Sequence, residues 1–262
     1  MSKIREKIKS LNNNNEKALT VFLTSGYPNT KKFVELVTGV VNAGADIIEI
    51  GLPFADSLAD GPVIQSSYKE ALENDVNLEQ TLNYIVEIKK RIDVPIILMS
   101  SSNPILNYGK EKFCDVAKSS MLDGLIIPDV PLEEYDDFFD LNFETLDTIL
   151  LTTPTSSEER INEIDKKSTG FVYCVSVVGT TGVRNEYDDY VYKNLNRTYN
   201  TVTQNKMQIG FGISSAENIK QFSPYCDGVI VGSAVIKSLA NDNEDFSNTL
   251  SIVKELKEAC RN

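Results

Sequence analysis

Between residues 19 and 231 the chain alternates two patterns: short unbroken aliphatic runs, and longer stretches in which apolar residues recur every three or four positions. The aliphatic runs predict strands at residues 19–24, 46–50, 95–99, 124–127, 148–151, 171–175, 208–211 and 228–231. The periodic stretches predict helices at 30–41, 78–91, 110–119, 157–166 and 216–222, with further helix starts near Val63 and behind Ser233. Ahead of the first strand, Ile4, Ile8 and Leu11 stand at helical spacing between charges, so a helix over about 1–12 is expected, followed by an exposed turn at Asn12 to Asn15.

Eight strands each followed by a helix make an α/β protein, and continuous Ile/Val/Leu runs suit a parallel sheet covered on both faces. Right-handed crossovers place every helix outside, and eight such units close into a (β/α)8 TIM barrel, here with an extra N-terminal helix. An open doubly wound sheet shows the same alternation. It usually carries G-x-G-x-x-G after the first strand, where this chain has Thr24-Ser25-Gly26-Tyr27-Pro28. With no linker or composition break, residues 1–262 read as one domain.

Composition narrows the function. The formal charge of −12 disfavours nucleic acid, although a local anion site made of backbone N–H groups is compatible with it. No apolar stretch is long enough to span a bilayer, and the charged N-terminus is unlike a signal peptide. Cys114, Cys174, Cys226 and Cys260 are widely spaced without C-x-x-C, which points to no metal and to a reducing compartment, the cytoplasm or a plastid stroma. The absence of histidine removes the Ser-His-Asp triad, so acid–base work falls to Asp, Glu, Lys, Tyr or Cys.

In a barrel of this kind the chemistry sits at the C-terminal ends of the strands. In the second strand, alternation puts Glu49 opposite Ile48 and Ile50; if those face the helices, Glu49 points into the mouth, where burial raises a carboxyl pKa and makes a general acid. The loop that follows carries Asp56 and Asp60, and Asp60 before Gly61-Pro62 fits either a catalytic group or a helix cap. Three glycine-bearing loops follow strands six to eight, at Gly179 to Gly182, Gly210 to Ser214 and Gly232 to Ala234. Together they suit a phosphate ester held by N–H groups and a helix start.

Glu49 through Pro62, EIGLPFADSLADGP, resembles the signature of tryptophan synthase alpha chains. Asn103-Pro104-Ile105, Pro128-Asp129-Val130-Pro131, Gly179 to Gly182, Gly210 to Ser214 and Asp227 to Lys237 match in order, so the similarity runs from about Ala18 to Lys237. The resemblance implies a lyase that cleaves indole-3-glycerol phosphate to indole and glyceraldehyde 3-phosphate. It casts Glu49 as the acid–base group acting at indole C3 and at the glycerol hydroxyl, and Asp60 as the partner of the indole N–H. Phe22, Leu98, Ile127 and Tyr173 would surround the indole. N–H groups of Gly182, Gly212, Gly232 and Ser233 would hold the phosphate, and Thr181 would act in loop closure.

The family also implies a beta subunit that carries pyridoxal phosphate in an αββα heterotetramer, with no cofactor in this chain. Loops 53–60 and about 177–189 would close over substrate and face that partner. The chain departs from the family at Ser57, where Pro is common, at Ser101 and Ser102, where a Tyr pair is common, and around Val177 to Gly182. Those changes leave two alternatives open: a free-standing lyase, or a non-catalytic activator of a beta subunit. Other phosphate-binding barrels are disfavoured, because an indole-glycerol-phosphate synthase would bring strand-end lysines and a pentose-phosphate epimerase metal-binding histidines.

Overall fold

A computed structural model of the chain describes residues 2–57, 60–176 and 188–261. Its strands are β1 (Ala18–Thr24), β2 (Ile47–Gly51), β3 (Ile96–Met99), β4 (Gly124–Ile126), β5 (Asp147–Thr148), β6 (Leu151–Thr152), β7 (Phe171–Val175), β8 (Lys206–Gly210) and β9 (Gly228–Val231). All pair in parallel in the order β5-β4-β3-β2-β1-β9-β8-β7-β6. The two ends of that sheet, β5 and β6, are separated only by Ile149 and Leu150. The Ile149 N–H donates to Leu125 O at 3.0 Å, and the Tyr173 N–H to Leu150 O at 3.0 Å. The sheet is therefore a closed barrel of eight staves, the fifth of which changes partner halfway from β4 to β7. The expected strand at 148–151 straddles that change.

The aliphatic runs became strands because the barrel buries both of their faces. All seven residues of β1 and all five of β2 are buried. Residues facing out pack under the helices, among them Leu19, Leu23, Ile48, Ile50, Ile96 and Leu98. Residues facing in form a second cluster with Ile47, Ile97, Ile126, Phe171, Tyr173 and Ile230. The helix Lys3–Asn13 closes the N-terminal end of the barrel by inserting Ile4 and Ile8, both fully buried, into that inner cluster.

Local signals set the helix ends. Asn77 caps Leu78–Arg91 by accepting from the Gln80 N–H at 3.0 Å, and Lys89, Lys90 and Arg91 sit in its last turn, where the helix dipole favours cations. Ser157 caps Glu158–Lys167, so the expected start at 157 falls on the cap itself. The helices Ser102–Tyr108, Asp189–Thr201 and Ser247–Ala259 were not anticipated. Asp189–Thr201 buries only Asn194, Leu195 and Thr198, which leaves almost no apolar stripe to read. Among the described residues no helix is long and apolar enough to cross a membrane.

At the N-terminal end the same clasp recurs three times. Asp46, Asp123 and Asp227 each precede a strand, and each donates its backbone N–H to the first turn of the neighbouring strand, at Leu19 O, Ile96 O and Met207 O. Each carboxylate accepts in return, from the Leu19 N–H at 2.9 Å, the Ile96 N–H at 2.8 Å and the Met207 N–H at 2.9 Å. Lys257 lies 2.8 Å from Asp46, Lys89 pairs with Asp123, and Lys206 lies 2.9 Å from Asp227.

Lys257 is only 5 % exposed, and its ammonium is shared between Asp46 and Glu16, the latter at 3.2 Å. Asp46→Ala should destabilise the chain by about 2–4 kcal/mol, because it leaves a buried ammonium with Glu16 alone and a strand N–H without its acceptor. Asp46→Asn, which keeps an acceptor for Leu19, should cost less. The midpoint of urea unfolding measures both, and equal losses would show that the backbone clasp contributes nothing.

Candidate active site

Parity along the strands decides what reaches the barrel mouth. Phe22 and Ile97 flank Glu49 in register, and all three lie on the inner face, whereas Ile48 and Ile50 pack under the helices as expected. Around the C-terminal rim the backbone continues the pairing: the Ser25 N–H donates to Gly51 O, the Leu52 N–H to Met99 O, the Ser100 N–H to Ile126 O and the Ser176 N–H to Gly210 O. These bonds hold the loop roots in fixed positions.

Within that rim a narrow slot of about 40 Å³ is lined by Phe22, Glu49, Asp60, Ile64, Met99, Tyr173, Phe211, Gly212, Ile213, Ile230, Gly232 and Ser233. A wider cavity of about 530 Å³ adjoins it, sharing Asp60 and Met99 and bounded by Leu52, Phe54, Tyr68, Ser100 and Ser101. Seven of the expected site residues thus converge: Glu49, Asp60, Phe22, Tyr173, Gly212, Gly232 and Ser233. Thr181 and Gly182 lie outside the described residues, as does Val177.

Leu98 and Ile127 are not brought to the slot. Leu98 is fully buried in the outer layer, in register with Ile50 and Leu125, which also face the helices. Ile127 also joins the outer cluster and lines a separate groove with Val130 and Leu150. The inner positions belong to their neighbours, Met99 in the slot and Ile126 in the inner cluster. An error of one residue in a strand exchanges its faces. The alternation that placed Glu49 inside, carried across to its partner Ile97, selects Met99.

Phe211, Ile64, Ile213 and Ile230 were also missed. Phe211 carried a signal, being flanked by two glycines. Its φ is +70°, Gly212 has φ +81°, and its ring stands edge-on to Tyr173 with centroids 6.0 Å apart. Gly210 is required there because the Tyr173 ring occupies the space that its side chain would fill. Gly232 precedes the helix Ser233–Leu239, so the first N–H groups of that helix border the slot.

Asp60 is not a helix cap. The N-cap of Pro62–Glu73 is Gly61, with Pro62 at the first helical position, and no side chain bonds the first turn. The loop before it is tied back by Gln65, whose Nε2 donates to Ser57 O at 3.2 Å. Asp60 is 5 % exposed, and burial pushes its carboxyl up to about 6. Glu49 is 1 % exposed with Oε2 unbonded; burial first, and then the charge of Asp60, push it up to about 8. No lysine or arginine lines the slot among its described residues.

At neutral pH the site therefore presents a protonated Glu49 beside an ionised Asp60, an aromatic and aliphatic slot fit for a flat ring, and a helix start fit for an anion. Among the described residues no group of His, Cys, Asp or Glu is arranged to hold a metal ion. Ser101 borders the wider cavity, while Ser102 donates from its N–H and hydroxyl to Asp129 at 2.9–3.0 Å and so fixes the start of Ser102–Tyr108.

Comparison with known proteins agrees with this arrangement. The family described as "Tryptophan synthase alpha chain" matches residues 8–262. The chain is 40% identical to the tryptophan synthase alpha chain of Prochlorococcus marinus over 93% of its length and 88% of that protein, and 40% identical to that of Petrotoga mobilis over 97% and 96%. It superposes on a structure of Mycobacterium tuberculosis tryptophan synthase with a TM-score of 0.91 at 31% identity, covering 100% of this chain and 99% of that one. On the alpha subunit from Legionella pneumophila the TM-score is 0.88 at 30% identity, over 99% and 98%. With its fold, the order of its loops and its sequence all in agreement over nearly the full length, the chain belongs to the tryptophan synthase alpha chain family.

Proposed function

We propose that Glu49 and Asp60 are the catalytic pair with which this chain, as a tryptophan synthase alpha subunit, cleaves indole-3-glycerol phosphate. The observation that carries the assignment is the enclosure of both carboxyls in one aromatic slot that, among the described residues, holds no cation, which separates their proton affinities. Glu49, still protonated at neutral pH, delivers its proton to C3 of the indole ring. The ionised Asp60 accepts the ring N–H and stabilises the positive charge that develops there. With C3 tetrahedral, a carboxylate removes the glycerol hydroxyl proton, the C–C bond breaks, and indole and glyceraldehyde 3-phosphate separate.

Phe22, Tyr173 and Met99 wall the ring, and the N–H groups of Gly212, Gly232 and Ser233 receive the phosphate. No cofactor is needed for this step, and the pyridoxal phosphate of the complete enzyme belongs to the beta subunit. That subunit is the partner, and the rim that carries loop 53–60 is the side that faces it. We read residues 1–262 as one barrel domain working in a reducing compartment, the cytoplasm, in keeping with four free and buried cysteines.

Purified protein given indole-3-glycerol phosphate should release indole, with beta subunit accelerating the reaction. Glu49→Gln and Asp60→Asn should each lower kcat at least ~10²-fold. No turnover with or without beta subunit would leave a scaffold, and turnover indifferent to the partner would make it a free-standing lyase. The pH profile of kcat/KM should be a bell, rising near pH 6 as Asp60 ionises and falling near pH 8 as Glu49 loses its proton.

Stability should carry the same mark. Unfolded Glu49 releases its proton near pH 4.5 and folded Glu49 near pH 8, so across that window the unfolded state binds fewer protons and stability falls as pH rises. Glu49→Gln removes that loss. The Tm difference between the variant and the native chain should grow in favour of the variant from pH 4.5 to 8 and then level off; parallel curves would mean that Glu49 is not held protonated.

A further inference from the structure

One polar group in the mouth is left unused by this mechanism. The helix Pro62–Glu73 buries Ile64, Ser67, Tyr68 and Ala71, and its inward face is pinned by a bond of 2.6 Å between the Ser67 and Thr24 hydroxyls. The neighbouring Tyr68, 4 % exposed, is thereby aimed over the rim of β2. Its hydroxyl fills the inner side of Gly51: a Cβ there would lie 2.6 Å from that oxygen and 2.5 Å from the Phe22 ring. Gly51 stands two residues beyond Glu49 and so shares its face, which puts the hydroxyl one pleat above the Glu49 side chain. Tyr68 also lines the wider cavity together with Asp60. Among the described residues no hydrogen bond engages the hydroxyl.

We propose that Tyr68 is a positioning residue for the reaction, a neutral donor whose hydroxyl steadies the Asp60 carboxylate beside Glu49 once substrate occupies the slot. Burial and the two neighbouring carboxylates raise the proton affinity of the phenol well above its usual value, so it stays a donor throughout the working range. Ser100 and Ser101, which also line that cavity, carry short side chains, whereas Tyr68 rises from the helix that begins just after Asp60. The proposal rests on the catalytic pair assigned above.

Tyr68→Phe keeps the ring and removes the donor. It should lower kcat by about tenfold with KM within about twofold, the loss expected for one hydrogen bond to a charged group. An ionised Asp60 without its donor holds its proton more tightly, so the acid limb of the kcat profile, which reports the substrate-bound state, should move up by about half to one pH unit. The same upward displacement should appear in the pH dependence of Tm of the Phe variant when a non-cleavable indole phosphate analogue fills the slot. A fall in kcat with both pH profiles unmoved would reduce Tyr68 to packing and overturn the proposal, as would a variant identical to the native chain. If the native chain releases no indole, the reaction assigned above fails. The Tm profiles then still decide whether Tyr68 acts on the carboxyl pair.

Discussion

Burying an ionised carboxylate among aliphatic and aromatic side chains costs several kcal/mol unless a cation or several hydrogen bonds accompany it. Glu49 is enclosed with neither, at the one place in the barrel where eight strand ends leave a hollow. The molecule meets that cost by keeping the proton. Because Asp60 is a little less enclosed, the two carboxyls divide the available charge between them, and a site without histidine acquires an acid and an anion at the same pH. The aromatic walls, the helix start at Ser233 and the loop roots are arranged around that division.

The two ends of the barrel handle charge in opposite ways. At the N-terminal end each clasp aspartate has a lysine and a backbone donor, so all three side chains are fixtures of the framework. Around the slot at the C-terminal end no lysine or arginine is found among the described residues. A lysine placed near Glu49 would return its proton affinity to the ordinary range and remove the acid, so the rigidity of the mouth has to come from uncharged contacts. The rim bonds of Ser25, Leu52, Ser100 and Ser176, the hydroxyl pair of Thr24 and Ser67, and the crowding of Phe22 against Gly51 and Gly232 supply it.

How much of this was legible depended on whether a rule constrained one residue or two. Strand runs and alternation around Glu49 located the barrel and put this carboxyl on its inner face, because an aliphatic stave buried on both faces has few other readings. The glycines of the seventh and eighth loops announced close approach and were found at the slot. Resemblance puts Leu98 and Ile127 around the ring, whereas the register of the neighbouring strands gives the inner positions to Met99 and Ile126. Asp60 was ambiguous because a carboxylate before Gly-Pro serves equally as a cap; only the observed N-cap at Gly61 separates the two. Ile64 and Tyr68 come from a helix, and nothing in a strand-end rule points to them.

The closure of the ring also bears on synthesis. Strand β1 pairs with β2 from the next unit, but its other edge waits for β9, some two hundred residues later, and the Asp46 clasp waits for Lys257 near the chain's end. At ribosomal speeds that interval is on the order of ten seconds or more. Through it a nascent chain carries an exposed parallel edge and an aspartate whose buried lysine partner is still to be made. The helix Lys3–Asn13, made before any strand, has Ile4 and Ile8 ready for an interior that does not yet exist. The helix Ser247–Ala259, made after every strand, therefore acts as a latch, and its loss would harm biogenesis far more than its distance from the mouth would suggest.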